Sequence, residues 1–162
     1  MEITRDQVPV EVRRLLGTVP DWFGLSEANT GYVAGAATLP SWVARIDQRV
    51  VGVLLERPHN PRSSEIELLV VDHEHHRQRI GSALLHRFAT DQRLAGVEML
   101  QVKTLGPSRS DEGYEHTRRF YEACGFVPLE ELDLWGPDNP ALLMAATTDA
   151  VISRTADRAS TS

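Results

Sequence analysis

The feature that most constrains this chain is a buried strand that runs through a short polar loop into a helix. Glu65-Ile66-Glu67-Leu68-Leu69-Val70-Val71 carries the branched aliphatic residues that suit a strand. After the loop, Ile80, Ala83, Leu84 and Phe88 recur at i, i+3, i+4 and i+8, the stripe of an amphipathic helix. Gly96 ends that helix, and Met99-Leu100-Gln101-Val102 follows as another strand. Strand, helix, strand with a crossover of this length predicts a parallel pair. The fold class is α/β, or α+β with one βαβ unit inside a mixed sheet.

The flanking segments fit one domain over residues 1–148. Val8, Val12, Leu15 and Leu16 have helical spacing, with Gly17 as a stop. Pro20-Asp21-Trp22-Phe23-Gly24 reads as a turn bearing two aromatics, and Ser26 as the cap of a helix reaching about Thr38. Trp42 to Ile46 and Val50 to Leu55 form a hairpin around Asp47-Gln48. A further helix carries Thr117, Phe120, Tyr121 and Cys124 on one face and stops at Gly125, before closing strands at Phe126-Val127 and Leu142-Leu143-Met144. Residues 149–162, rich in Ser, Thr, Ala, Asp and Arg, read as a mobile tail.

Composition narrows the function classes. At 162 residues a chain can hide roughly 70% of its unfolded surface in a single core. One cysteine, Cys124, leaves no internal disulfide framework and suits a reducing cytoplasm. The longest apolar run, Val50 to Leu55, is far short of a membrane span, and the N-terminus lacks the pattern of a signal peptide. A net charge of −6 argues against nucleic-acid binding and favours a cationic substrate.

The chemistry gathers at His76-Arg77-Gln78-Arg79-Ile80-Gly81-Ser82, between strand and helix. A helix start offers unpaired N–H donors and the positive end of the dipole, which suits phosphate. Arg77 and Arg79 can neutralise phosphate charge, and Gly81 removes a Cβ where a ligand must come close. Neither a G-x-G-x-x-G dinucleotide loop nor a G-K-[ST] P-loop is present.

The segment resembles the coenzyme A loop of GNAT acetyltransferases, [QR]-x-x-G-x-[GA] after a strand ending in valine. Here His76 stands for the usual Gln or Arg, and Arg79 for the first glycine. Phe120-Tyr121-Glu122-Ala123-Cys124-Gly125-Phe126 is similar to the family's second signature, an aromatic-Tyr pair followed by Gly-Phe. Tyr114, seven residues before Tyr121, occupies a position where the family often has asparagine. Order and spacing of both motifs agree over roughly residues 41–146.

The resemblance implies a mixed, mostly antiparallel sheet and transfer of acetyl from acetyl-CoA to a primary amine by direct attack on the thioester. It places Leu69, Val70, Val71, His76, Arg77, Gln78, Arg79, Ile80, Gly81, Ser82, Tyr114 and Thr117 against the coenzyme, with the Val71 N–H on the thioester carbonyl. Tyr121 becomes the acid that protonates the leaving thiolate, and Glu65 or Glu67 the base. Strand alternation puts Glu65, Glu67, Leu69 and Val71 on one face. Trp22, Phe23 and Tyr32 are candidates for the acceptor pocket. The implied partners are a small-molecule or peptide amine and a second copy of the chain.

Two other readings stand beside this one. The departure at Arg79 suits a non-catalytic acyl-CoA sensor or scaffold. The crowding of His73, His75 and His76 suggests a metal-dependent hydrolase, although no regular element fixes their spacing and no metal is expected. Cys124, on an apolar helix face, reads as packed.

Overall fold

A computed structural model describes residues 1–19 and 26–159. The expected turn at Pro20–Gly24 therefore lies outside the described residues, as do Trp22, Phe23 and the side chain of Ser26. The elements are β1 (Glu2–Arg5), α1 (Pro9–Thr18), α2 (Ser26–Ala36), β2 (Ser41–Ile46), β3 (Arg49–Asn60), β4 (Ser63–Val71), α3 (Ile80–Leu94), β5 (Met99–Leu105), α4 (Glu112–Ala123), β6 (Val127–Leu132), β7 (Ala141–Thr147) and α5 (Thr148–Ala159). They build a seven-stranded sheet in the order β1-β2-β3-β4-β5-β7-β6. Among the described strands only β4 and β5 pair in parallel, joined through α3 as the strand-helix-strand pattern requires; the other neighbours are antiparallel.

Local chemistry accounts for the main elements. Asp47 (φ 49°) and Gln48 (φ 68°) both adopt the left-handed conformation that a tight hairpin turn demands, so β2 folds back on β3 at the expected place. Gly52 lets α3 lie close on the sheet: a Cβ there would meet Ile80 and Leu84 side chains at 3.0 Å. Trp42 anchors the same face, stacking edge-on against Phe88 at 4.9 Å and donating its indole N–H to Asp91 at 2.8 Å.

Two apolar clusters lie on opposite faces of the sheet. One packs α3, α4 and α5 through Leu84, Phe88, Tyr121, Phe126 and Val151; the other packs α1 through Val12, Leu15 and Leu16 against Val53, Leu55, Leu68 and Val70.

Three expectations need correction. Residues 148–159 are helix α5, not a mobile tail: Val151 and Thr155 are fully buried, and Thr155 accepts a hydrogen bond from His86 of α3. Its few apolar residues are too sparse to show a period but are spaced to face α3. β3 continues through Pro58 to Asn60, a stretch whose polarity hid it. The third correction concerns β4, where Leu55 pairs with Leu68 but Glu56 pairs with Ile66. Glu67 is the extra residue of a β-bulge, which breaks the alternation. Leu68 and Val70 turn toward α1, whereas Leu69 and Val71 pack on the opposite face.

Candidate active site

The bulge lies where the sheet opens. β4 and β5 pair only over Ser63–Ile66 and Met99–Val102, although β4 runs on to Val71 and β5 to Leu105. Beyond Ile66 the two parallel strands diverge at their carboxyl ends, the place where open α/β sheets bind ligands. The Asp72 N–H donates to Val51 of β3 at 2.8 Å, so alternation turns the N–H groups of Leu69 and Val71 away from β3 and toward the gap. α4 is tethered beside the gap by Arg118, which donates to the Leu105 carbonyl at 2.7 Å.

On the α3 side stands the loop singled out by sequence. Asp72 caps a 3-10 turn over His73–His75, and the His76 imidazole Nε2 donates to the Val71 carbonyl at 2.9 Å, fastening the loop to the strand end. Arg77 (φ 63°) and Arg79 (φ 64°) are left-handed on either side of Gln78. Arg79 keeps the backbone conformation that glycine favours, despite its side chain. Among the described residues no side chain caps α3, and the N–H groups of Ile80, Gly81 and Ser82 have no acceptor there. Gly81 serves differently from expectation. A Cβ there would meet the Phe120 ring at 3.3 Å, so its smallness lets α4 approach α3.

Tyr121 sits on α4 with 5% of its surface exposed, edge-on to Phe120 at 5.3 Å and Phe126 at 5.4 Å. Among the described residues its hydroxyl makes no hydrogen bond. Burial, with smaller contributions from Cys124 and Tyr32, pushes the phenol far above its ordinary value, so it holds its proton throughout the physiological range. Tyr114 opens the same helix; Asp111 caps its N–H, and burial raises its phenol too. The Thr117 hydroxyl donates to the Gly113 carbonyl. Cys124 is fully buried.

The opposite face holds a cavity of about 260 Å³ lined by Tyr32, Arg57, His59, Glu65, Ile66, Glu67, Lys103, Leu134 and Trp135. Tyr32 lines the cavity beside Glu65 and Glu67. Burial and the two carboxylates push the Tyr32 phenol up to about 12. Glu67 accepts a two-pronged bond from Arg57 at 2.8 and 2.9 Å. Glu65 is buried and accepts from His59 at 2.7 Å, Gln101 at 3.0 Å and Lys103 at 3.0 Å.

The structure thus brings Glu65, Glu67 and Tyr32 together, and the loop residues together on the other side of the gap. Sequence reasoning missed Arg57, His59, Gln101, Lys103 and Trp135. A signal existed for two of them: Arg57 and His59 alternate across a short turn from Glu65 and Glu67, the pattern of opposite-charge cross-strand pairs. Among the described residues no group of three or more His, Cys, Asp and Glu side chains could hold a metal ion.

Comparison with known proteins follows this geometry. The family model for an acetyltransferase (GNAT) domain matches residues 38–128, and the chain belongs to that family. Among solved structures it is similar to an aminoglycoside 6′-acetyltransferase of type Ii (22% identity, TM-score 0.72, covering 91% of this chain and 97% of that one). It is also similar to the aminoglycoside 6′-N-acetyltransferase from Enterococcus faecium (20%, TM-score 0.70, 91% and 97%). A third is a GNAT family acetyltransferase from Elizabethkingia anophelis with acetyl-CoA bound (17%, TM-score 0.62, 90% and 97%). At these identities the likeness shows a shared fold. A search of curated proteins found no significant match.

Proposed function

We propose that this protein is an N-acetyltransferase that takes acetyl from acetyl-CoA and gives it to a primary amine held in the 260 Å³ cavity. One observation carries the reading. The divergence of β4 and β5 opens a gap with a left-handed helix-start loop on one face and a cavity lined by charged side chains on the other.

The residues fit coenzyme A. The N–H groups at Arg79–Ser82, with the Arg77 and Arg79 side chains close by, suit a pyrophosphate. Leu69, Val70 and Val71 supply strand edge for the pantetheine arm, and Tyr114 and Thr117 lie on the helix beside it. The Leu69 and Val71 N–H groups face the gap, where donors of this kind stabilise a developing oxyanion. The coenzyme contributes a thioester that an amine can attack directly.

An alkylamine with pKa near 10.4 is neutral in only about one part in a thousand at pH 7, so a proton must be drawn off at the cavity. Glu65 and Glu67 lie there, paired with Lys103 and Arg57. Tyr121 keeps its proton, and in this reading its hydroxyl hydrogen-bonds or protonates the departing thiolate. Arg79 keeps the glycine-like backbone of the loop, which supports a formed coenzyme site despite the departure from glycine.

Release of free thiol from acetyl-CoA, screened over an aminoglycoside, a polyamine, an amino acid and a peptide, tests the reading. Acetyl-CoA alone should raise Tm, because a ligand that binds only the folded state stabilises it. No Tm shift and no thiol release with any amine would defeat the proposal.

A further inference from the structure

We propose that the proton acceptor for the amine is His59 of β3, with Glu65 as the positioning residue that fixes its tautomer; this rests on the acetyltransferase reading. His59 Nε2 lies 2.7 Å from Glu65 Oε1. A carboxylate at that distance accepts the Nε2 hydrogen, which leaves the lone pair of the neutral ring on Nδ1. Nδ1 has no hydrogen-bond partner among the described residues, on a side chain that lines the cavity and is 37% exposed. The carboxylate is itself held. Gln101 and Lys103 of β5 both donate to Glu65 Oε1 at 3.0 Å, and Lys103 reaches Oε2 at 3.2 Å. Base, orienting carboxylate and support thus come from three adjacent strands, the arrangement by which enzymes fix a working imidazole.

The two glutamates are worse placed to act directly. Glu67 spends both oxygens on Arg57, and Glu65 is 5% exposed and surrounded by donors. A neutral imidazole with an open nitrogen is the side chain that most often serves as a general base in catalysis. Among the described residues, the charged and titratable groups around His59 are Arg57 on its own strand, Glu65 and Glu67 on β4, Lys103 on β5 and Tyr32 on α2; Leu134 and Trp135 add none.

The step balances. One ammonium proton passes to His59 Nδ1, the amine lone pair forms the C–N bond to the thioester carbon, and the C–S bond breaks with its electron pair on sulfur. The nitrogen's second proton ends on the thiolate by way of Tyr121, and the His59 proton returns to solvent. Glu65 stabilises the transient imidazolium without taking its proton.

The experiment uses the full chain in two arms. Nitrogen-15 NMR of the imidazoles should show neutral His59 protonated at Nε2 in wild type, with that preference lost in Glu65→Gln. Neutral His59 protonated at Nδ1 in wild type overturns the proposal. The second arm measures kcat for His59→Gln with whichever amine of the four-class panel is acetylated. At pH 7 kcat should fall about 10²-fold with Tm and the acetyl-CoA shift retained. The deficit should shrink to a few-fold by pH 10, where the amine supplies its own neutral form. Wild-type kcat in His59→Gln, or a deficit equal at every pH, overturns it as well. A panel without any acetylated amine would defeat the acetyltransferase reading instead, and the NMR arm alone then decides whether the dyad is built as proposed.

Discussion

Tyr121 is the residue at which packing and chemistry can be separated. Its ring is locked between Phe120 and Phe126, whereas its hydroxyl has no partner among the described residues. Tyr121→Phe therefore removes no structural hydrogen bond, and Tm should stay within about 0.5 kcal/mol of wild type in stability terms. If the hydroxyl meets the departing thiolate, kcat should fall roughly 10- to 10³-fold, about 1.4 to 4 kcal/mol of transition-state stabilisation, with the acetyl-CoA Tm shift unchanged. The raised phenol sets the pH behaviour. Because the group keeps its proton well beyond its ordinary range, its loss should not appear as an alkaline limb of kcat below about pH 10. Full activity with a lowered Tm would assign Tyr121 to the core alone.

At the scale of elements, what was legible in the sequence was what local pattern determines. The Asp47-Gln48 hairpin turn, the strand-helix-strand unit and the Thr117–Cys124 helical stripe each follow from neighbours a few residues apart. The bulge at Glu67 was not legible, because it exists only in the register between β3 and β4. It put Leu69 and Val71 on the face opposite that expected, so that one strand presents Leu69 and Val71 to the α3 side and Glu65 to the cavity side. The dyad partner His59 was hidden for a similar reason: it lies after Pro58 in a polar run that becomes strand only by pairing with β4. Helix α5 was hidden because its burial is decided by the surface of α3. It also approaches the end of α4, where Gly125 (φ 100°) comes so near Ala150 that a Cβ would sit 3.2 Å from its carbonyl oxygen. The distinction between tail and helix is measurable. Val151→Asp buries an unpaired charge at a fully buried site and should cost about 3–5 kcal/mol, whereas Ser153→Asp on the exposed side of the same helix should be nearly neutral. Equal, small effects on chemical denaturation would restore the tail.

On the scale of the whole molecule, one buried carboxylate joins the first helix to the proposed coenzyme loop. Asp72 ends β4 with 1% of its surface exposed, and its Oδ2 takes Arg14 of α1 at 3.0 Å and Arg49 of β3 at 3.4 Å. Its Oδ1 accepts the Glu74 N–H at 3.1 Å, starting the turn that leads into Arg77–Arg79. Arg14 also donates to the Val50 carbonyl, and the Thr18 hydroxyl accepts the His73 N–H, so α1 and the loop are held as a unit. Burial alone pushes the Asp72 carboxyl up, but the bonds from Arg14 and Glu74 and the charges of Arg14 and Arg49 outweigh it and leave it below its ordinary value. A carboxylate depressed in the folded state adds stability that is fully present above its unfolded value, roughly 4, and fades as pH falls through the folded value. Asp72→Asn keeps shape and size while removing the charge, and at pH 7 should cost about 1–3 kcal/mol. The Tm gap between wild type and Asp72→Asn should stay constant from pH 8 to about 5, begin to shrink near 4 and close only below the depressed folded value, where Asp72 is protonated in both folded and unfolded chains. Because the same carboxylate orders the loop, the variant should also show a smaller acetyl-CoA Tm shift at neutral pH. A gap that persists undiminished at pH 3, or a full-sized acetyl-CoA shift, would show that α1 and the coenzyme loop are positioned independently of Asp72.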